Sequence, residues 1–279
     1  MKIASLETIV QKPEGIINRL KSLFKPYEIS AKTKKQNKIS VLSLRYISHR
    51  GSIDWNKVYS YLVGCSKTVL CKPDLLPDNT PIIRFDDKTL VCKLMFNFIG
   101  HLLDQASFSL KDIRIGLIDP DGSFTEMTSV LIRYTSNLYV LTDMPKFYEN
   151  VSDHLLKEYG MSFMIHNESD LLKDCDIVIA PKKLSSSISV PAHSVLFTTQ
   201  SPQIPLRCCT ITDYIVDVPY KYQRIQPDHT DNCYFLSALY SLCGVKELEN
   251  IIPVKCTDGN GLFTAERLIH HLNGIKKTA

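Results

Sequence analysis

Residues 113–143 read IRIGLIDPDGSFTEMTSVLIRYTSNLYVLTD, and their pattern decides the fold. Ile113-Arg114-Ile115-Gly116-Leu117-Ile118-Asp119 is a short apolar run rich in β-branched residues, as a buried strand requires. Asp119-Pro120-Asp121-Gly122-Ser123 carries turn chemistry. Phe124, Met127, Val130, Leu131 and Tyr134 then recur at helical spacing, and Leu138-Tyr139-Val140-Leu141 returns to a strand. A strand, a helix and a second strand within about 30 residues make a βαβ unit, whose two strands lie parallel.

Downstream the alternation continues. Phe147, Val151, Leu155 and Tyr159 mark a helix, Ser162 to Ile165 a strand, and Glu168 to Lys173 a short helix. Ile177 to Ala180 and Ser194 to Thr198 are two more strands. Strands alternating with helices of this length predict a doubly wound parallel sheet, with its ligand crevice at the carboxyl ends of the strands. Cys209 to Val218 reads as one further strand. Asp231 or Asn232 caps a helix through Leu242 that Gly244 ends. Thr264 opens a last helix that Gly274 stops.

Upstream, Leu90, Leu94, Met95, Phe98, Leu102 and Leu103 define a long helix capped by Asp86 or Asp87. Before it come strands at Thr68–Cys71 and Ile82–Phe85. A helix runs from Asp54 to Leu62, closed by Gly64, and Ile39–Ile47 is a strand. Pro13 to Phe24 predicts an amphipathic helix with Ile16, Ile17, Leu20 and Phe24 on one face. Lys32 to Lys38 holds four lysines in seven residues and reads as a solvated tether. The fold class is therefore α/β: an N-terminal α/β domain, residues 1–110, with the helix and basic tether in 1–38. A Rossmann-like doubly wound sheet with C-terminal helices follows over 111–279.

Composition narrows the function classes. Hydrophobic residues at 44% and charged residues at 22% suit a packed globular chain and argue against long disorder. A net charge of +4 is mild, weaker and less clustered than a dedicated nucleic-acid binder shows, and argues against a nucleic-acid partner. No run of 18 apolar residues is present and the first residues lack a signal-peptide pattern, so no membrane partner is expected. Nine cysteines are scattered with no C-x-x-C pair, which points to reduced thiols in a cytoplasm and gives no metal-ligand pattern. The expectation is a cytoplasmic, bacterial protein with a small-molecule ligand in an interdomain cleft, and a homodimer left open.

The run 113–143 resembles the first βαβ of NAD(P)-binding domains, and NESDLLKDCDIVIAP, residues 167–181, resembles their fourth-strand region. The order of an α/β domain, a long helix and then this unit is similar to shikimate dehydrogenases and glutamyl-tRNA reductases. The resemblance covers about 90 residues, in architecture more than in motifs. It implies a cofactor site at Asp119, Gly122, Ser123, Phe124, Asp143 and Ala180, the small residue ending its strand. Asp143 stands where an acidic residue holds the ribose of NAD, so NAD is favoured over NADP. The alternative for Asp143 is a cap on the helix after Pro145.

The loop departs from G-x-G-x-x-G: Gly122 alone remains, Pro120 removes an amide donor, and Phe124 brings bulk. Asp119, Asp121 and Glu126 are acidic, with no Lys or Arg nearby in sequence until Arg133. Ser123-Phe124-Thr125-Glu126 fits an S-x-x-E capping box, in which the helix's free amides are satisfied from within. The reading is thus a non-catalytic or altered-ligand relative of NAD-dependent dehydrogenases. The alternatives are an active NAD-dependent oxidoreductase on a small metabolite, or a cysteine hydrolase.

Catalytic candidates are sparse. Shikimate dehydrogenases use a Lys–Asp pair, for which Lys72 with Asp86 or Asp87 offers a similar order at shorter spacing. Asp231-Asn232-Cys233-Tyr234-Phe235-Leu236 resembles the nucleophile segment of papain-like peptidases, making Cys233 the hydrolase candidate. Its only downstream histidines are His270 and His271, inside a helix. His49, His193 and His229 sit in loops without a partner recognisable from sequence.

Overall fold

The computed structural model describes residues 1–11, 15, 23–63, 68–73, 75–78, 80–106 and 112–278. The chain divides into two compact units, each built from two stretches. Unit 1 is Met1–Leu90 with Asp217–Leu248, and unit 2 is Val91–Val216 with Glu249–Ala279. The sequence places one break near residue 110; in the structure the break falls at Leu90, and residues 217–248 return to the first unit.

Unit 1 carries β1 (Lys2–Val10), β2 (Tyr27–Gln36), β3 (Ile39–Ser48), α1 (Trp55–Leu62), β4 (Thr68–Leu70) and β5 (Ile83–Arg84). They form a sheet of order β2-β3-β1-β4-β5, parallel throughout except for the β2–β3 hairpin. Ala4, Leu6, Leu44 and Tyr46 face Val58 and Leu62 of α1 from one side of the sheet. Because neighbours in a parallel pair share a face at equal register, Ser5, Glu7, Ser43 and Arg45 lie together on the other side.

The lysine-rich segment is not a tether. Lys32, Lys34 and Lys35 belong to β2, and Asn37 with Lys38 makes the two-residue turn into β3, with Asn37 at φ 52°. Lysines on an edge strand oppose pairing with another chain, which accounts for charge inside a β element. Strand β1 carries no element in the sequence reading, and the structure places it at the centre of the sheet. The helix expected over 13–24 and the stop at Gly64 lie outside the described residues, apart from Gly15, Leu23 and an exposed Phe24.

Helix α2 (Thr89–Asp104) takes the chain into unit 2. There follow β6 (Arg114–Ile118), α3 (Thr125–Leu131), β7 (Asn137–Leu141), α4 (Pro145–Tyr159) and β8 (Met164–His166). A 3-10 helix (Ser169–Asp174), β9 (Ile177–Ala180), β10 (Val195–Thr198), β11 (Cys209–Ile211) and β12 (Asp213–Ile215) complete the stretch. The six-stranded sheet runs β11-β10-β9-β6-β7-β8, with every pair parallel. Read from β8, that is third, second, first, fourth, fifth and sixth strand in chain order, the Rossmann arrangement. Fully buried Ile177, Val178 and Ile179 fill the middle of β9, as a strand covered on both faces demands.

Cys209 to Val218 is not one strand but two, β11 and β12, in different sheets. The change comes at Thr212, whose N–H donates to Thr257 O at 3.0 Å. The chain then returns to unit 1 for α5 (Tyr220–Gln223) and α6 (Asn232–Cys243), which ends at Gly244 in the left-handed conformation, φ 65°. Back in unit 2, β13 (Lys255–Thr257) pairs antiparallel with β12 and β14 (Leu262–Phe263) antiparallel with β13, and α7 (Ala265–Thr278) closes the chain. Gly274 lies inside α7 and does not stop it; one helical glycine costs only about 1 kcal/mol relative to alanine. Among the described residues no helix is long and apolar enough to cross a membrane.

Candidate functional site

The site grows from the end of β6. Asp119 follows the last strand residue, and its N–H donates to Leu141 O at 2.9 Å, which holds the turn against β7. Its side chain is fully buried. Oδ2 accepts the Phe124 N–H at 2.8 Å and the Tyr148 hydroxyl, whereas Oδ1 has no hydrogen-bond partner. Burial pushes the Asp119 carboxyl up, against the pull of those two donors. The same burial, with the carboxylate beside it, pushes the Tyr148 phenol far above its ordinary range.

Asp121 is the exposed counterpart. Ser123 Oγ donates to its Oδ1 at 2.8 Å, and Lys182 forms an ion pair with its Oδ2. Lys182 Nζ also donates to Ser123 Oγ at 2.9 Å and stands 5.8 Å from the centre of the Phe124 ring. The Lys182 ammonium, and after it the Ser123 hydroxyl, hold the Asp121 carboxyl far below the usual carboxylate range. Between the two aspartates Gly122 takes φ +73°, and a Cβ there would come within 3.2 Å of the Phe147 ring on α4. Phe124 packs on Phe96 of α2, ring centres 5.9 Å apart.

Two sequence expectations are corrected here. There is no capping box: α3 begins at Thr125, its N-cap Phe124 makes no side-chain bond, and Ser123 turns instead to Asp121 and Lys182. The reason is Asp121, whose Oδ1 takes both the Ser123 hydroxyl and, at 3.4 Å, the Ser123 N–H that Glu126 would accept in a box. Nor does the loop lack a cation, because Lys182, just after β9, reaches across 61 residues of sequence. Nothing local signals this residue, since only the parallel pairing of β9 with β6 makes the two neighbours.

Beside the loop is a cavity of about 500 Å³ at the carboxyl ends of β6, β7 and β8. Ile118, Pro120 and Leu141 line one part, and Asp143, Glu168 and Asp170 bring carboxylates to it. Asp143 is anchored by its N–H to Pro120 O, 3.1 Å. It does not cap α4, whose N-cap is Met144 without a side-chain bond. Ala180 is fully buried in the core with Ile118, Leu141 and Leu196.

The remaining candidates are dispersed. Lys72 is exposed beyond β4; Asp86 is exposed and stands 3.7 Å from Arg84; Asp87 accepts the Thr89 N–H at 2.7 Å and caps α2. Cys233 is half-buried in the first turn of α6, where Asp231 accepts the Tyr234 N–H at 3.0 Å. His270 and His271 are exposed on α7, and His193 is exposed in its loop. His49 lies 3.6 Å from Glu28. His229 does have a partner, Ser5 Oγ at 2.6 Å, hidden from the sequence by 224 intervening positions.

No protein-family profile matches the chain, and no curated protein does. Solved structures similar to it include the NAD-complexed D-isomer specific 2-hydroxyacid dehydrogenase of Lactobacillus delbrueckii ssp. bulgaricus, at 10% identity over 69% of this chain and 71% of that one, TM-score 0.32. Phosphoglycerate oxidoreductase from Vibrio cholerae o395 aligns at 8% identity over 71% and 75%, TM-score 0.30. Ornithine carbamoyltransferase from Pyrococcus furiosus aligns at 10% identity over 88% and 84%, TM-score 0.31. At these scores the likeness is coarse, and the Rossmann assignment rests on the strand order itself.

Proposed function

We propose that unit 2 binds a small, hydroxylated molecule without a diphosphate, neutral or positively charged, in the cavity that Asp143 lines. The protein is on this reading an altered-ligand relative of NAD-dependent dehydrogenases, acting in a reducing cytoplasm. The observation that carries it is the occupied phosphate loop. In a dinucleotide site the pyrophosphate sits against free backbone amides beside glycines. Here the Phe124 amide is bound by Asp119, the Ser123 hydroxyl by Asp121, and the nearby ammonium of Lys182 by Asp121 as well. A diphosphate would have to displace these bonds and sit beside two carboxylates.

Asp143, Glu168 and Asp170 offer acceptors for hydroxyls or for a cation, and the volume suits a ligand of nucleoside size. Cysteine usage supports the compartment: no disulfide joins the described cysteines. A second reading, an active NAD-dependent oxidoreductase, draws on Asp143, which lines the cavity rather than capping a helix. Calorimetry with adenosine, S-adenosylmethionine, AMP, NAD and NADP separates the two. The proposal expects binding of the phosphate-free probes, lost in Asp143→Ala, and no gain from the second phosphate. NAD binding at least tenfold tighter than adenosine contradicts it.

A further inference from the structure

On the face of the unit 1 sheet away from α1, two side chains of β1 meet a histidine from a distant part of the chain. Ser5, in the middle of β1, lies with its Oγ 2.6 Å from His229 Nε2. The other ring nitrogen, Nδ1, is 3.9 Å from Glu7 Oε2, and that same oxygen is held by Arg45 Nε at 3.2 Å. A hydroxyl in hydrogen-bond contact with an imidazole is the pairing by which a serine is activated, and at 3.9 Å the Glu7 carboxylate acts on the far side of the ring by its charge rather than through a hydrogen bond. Glu7 and Arg45 are register partners on β1 and β3, so the acid is fixed by the sheet rather than by a mobile side chain.

The segment that carries the imidazole is braced too. Lys34 Nζ donates to Gln226 O at 3.1 Å, and Gln226 Nε2 donates to Thr230 O and to Asn232 Oδ1, at 3.2 and 2.8 Å. Thr230 Oγ1 lies 3.4 Å from Ser5 Oγ. Ser43, the register partner of Ser5 on β3, has a buried Oγ without a hydrogen-bond partner on the same face. An unused hydroxyl donor beside a nucleophile is what a developing oxyanion needs.

We infer that Ser5, His229 and Glu7 form a serine-nucleophile site for small carboxylic esters, independent of the cavity in unit 2. Ser5 Oγ adds to the ester carbonyl carbon while its proton passes to His229 Nε2. The tetrahedral adduct collapses with cleavage of the bond to the alcohol oxygen, and the alcohol leaves with that proton. Water repeats the sequence on acyl-Ser5 and releases the carboxylic acid. The Glu7 charge favours the imidazolium that forms, and the Ser43 hydroxyl donates to the oxyanion. Ser5 is fully buried and the His229 side chain only 19% exposed, so access to the hydroxyl is restricted and the proposed substrates are confined to esters of small acyl groups.

The charge state agrees with this geometry. Burial lowers the His229 pKa below 6.5, with Lys72 and Arg45 acting in the same direction and Glu7 and Asp228 against. The neutral ring is thereby favoured, and its Nδ1–H tautomer presents the Nε2 lone pair to Ser5.

The full-length protein is treated with a small alkyl fluorophosphonate, and the modified peptide is located by mass spectrometry. The expected result is an adduct on Ser5, formed at least tenfold more slowly in His229→Ala, with an intermediate rate in Glu7→Gln. Its rate should rise with pH through the titration of His229. Turnover of p-nitrophenyl acetate should fall in parallel and vanish in Ser5→Ala. A folded wild-type protein that takes no label on Ser5 overturns the inference, as does labelling undiminished in His229→Ala. If Ser5→Ala fails to fold, the wild-type adduct still decides.

Discussion

Two places at one sheet edge of unit 2 have opposite characters. The loop after β6 is closed on itself: Asp119, Asp121 and Ser123 are each bound by their neighbours or by Lys182 and Tyr148, with the buried Asp119 Oδ1 alone among their oxygens left without a partner. The cavity after β7, a few residues away in space, is open and presents carboxylates to whatever enters. In a dinucleotide enzyme both places receive one ligand, the pyrophosphate in the first and a ribose in the second. Here the same strand order is present, and only the second place is open. The fold fixes where a ligand can sit; the loop's side chains decide which part of it is admitted.

This contrast can be broken at the loop. The largest effect is expected from Asp119→Ala, which leaves the Tyr148 hydroxyl and the Phe124 amide unpaired in a buried place. A loss of about 2–4 kcal/mol is expected, read from denaturant unfolding, with an unchanged melt showing that Asp119 does not hold the loop. Gly122→Ala comes next. A left-handed φ for alanine costs about 1–2 kcal/mol, and the new methyl meets the Phe147 ring, so the melting temperature should drop further than in Gly160→Ala, which carries the same left-handed penalty at φ 67° without a side-chain contact.

The burial of Asp119 also has a pH signature. Its folded pKa lies above the ordinary 3.8, so its contribution is fully present below that value and is lost as pH rises through the raised pKa. Stability measured from pH 3 upward should carry this decline, and Asp119→Asn should flatten it; an identical profile in the variant would place the burial cost elsewhere. The smallest effect is Lys182→Ala. The pair with Asp121 is partly exposed, so at most about 1 kcal/mol is at stake, but the loop becomes more anionic and any residual affinity for AMP should fall further.

Much of unit 2 was legible because its strands are short, apolar and separated by turn residues, so Ile113–Asp119, Leu138–Leu141 and Ile177–Ala180 announce themselves. Unit 1 was less so. β1 mixes Ser5 and Glu7 with apolar residues, because the face they share with buried Ile3 also meets the polar cluster around His229. β2 carries lysines because it is an edge. The site divides in the same way. Asp143 and the acidic loop are visible in one stretch of sequence, whereas Lys182 and the Ser5–His229 contact are products of chain crossing and leave no local trace. The two-sheet stretch Cys209–Val218 misleads for a related reason: β propensity continues across Thr212 although the pairing partner changes.

The central claim is that the phosphate loop is filled while the Asp143 cavity is open. Its most direct test is calorimetric titration of the intact protein with adenosine and with NAD under one buffer. The account predicts measurable adenosine binding, abolished by Asp143→Ala, and NAD no tighter than adenosine. NAD binding tenfold or more tighter, with the excess surviving in Asp143→Ala, would show that the loop does accept a diphosphate and would contradict the account.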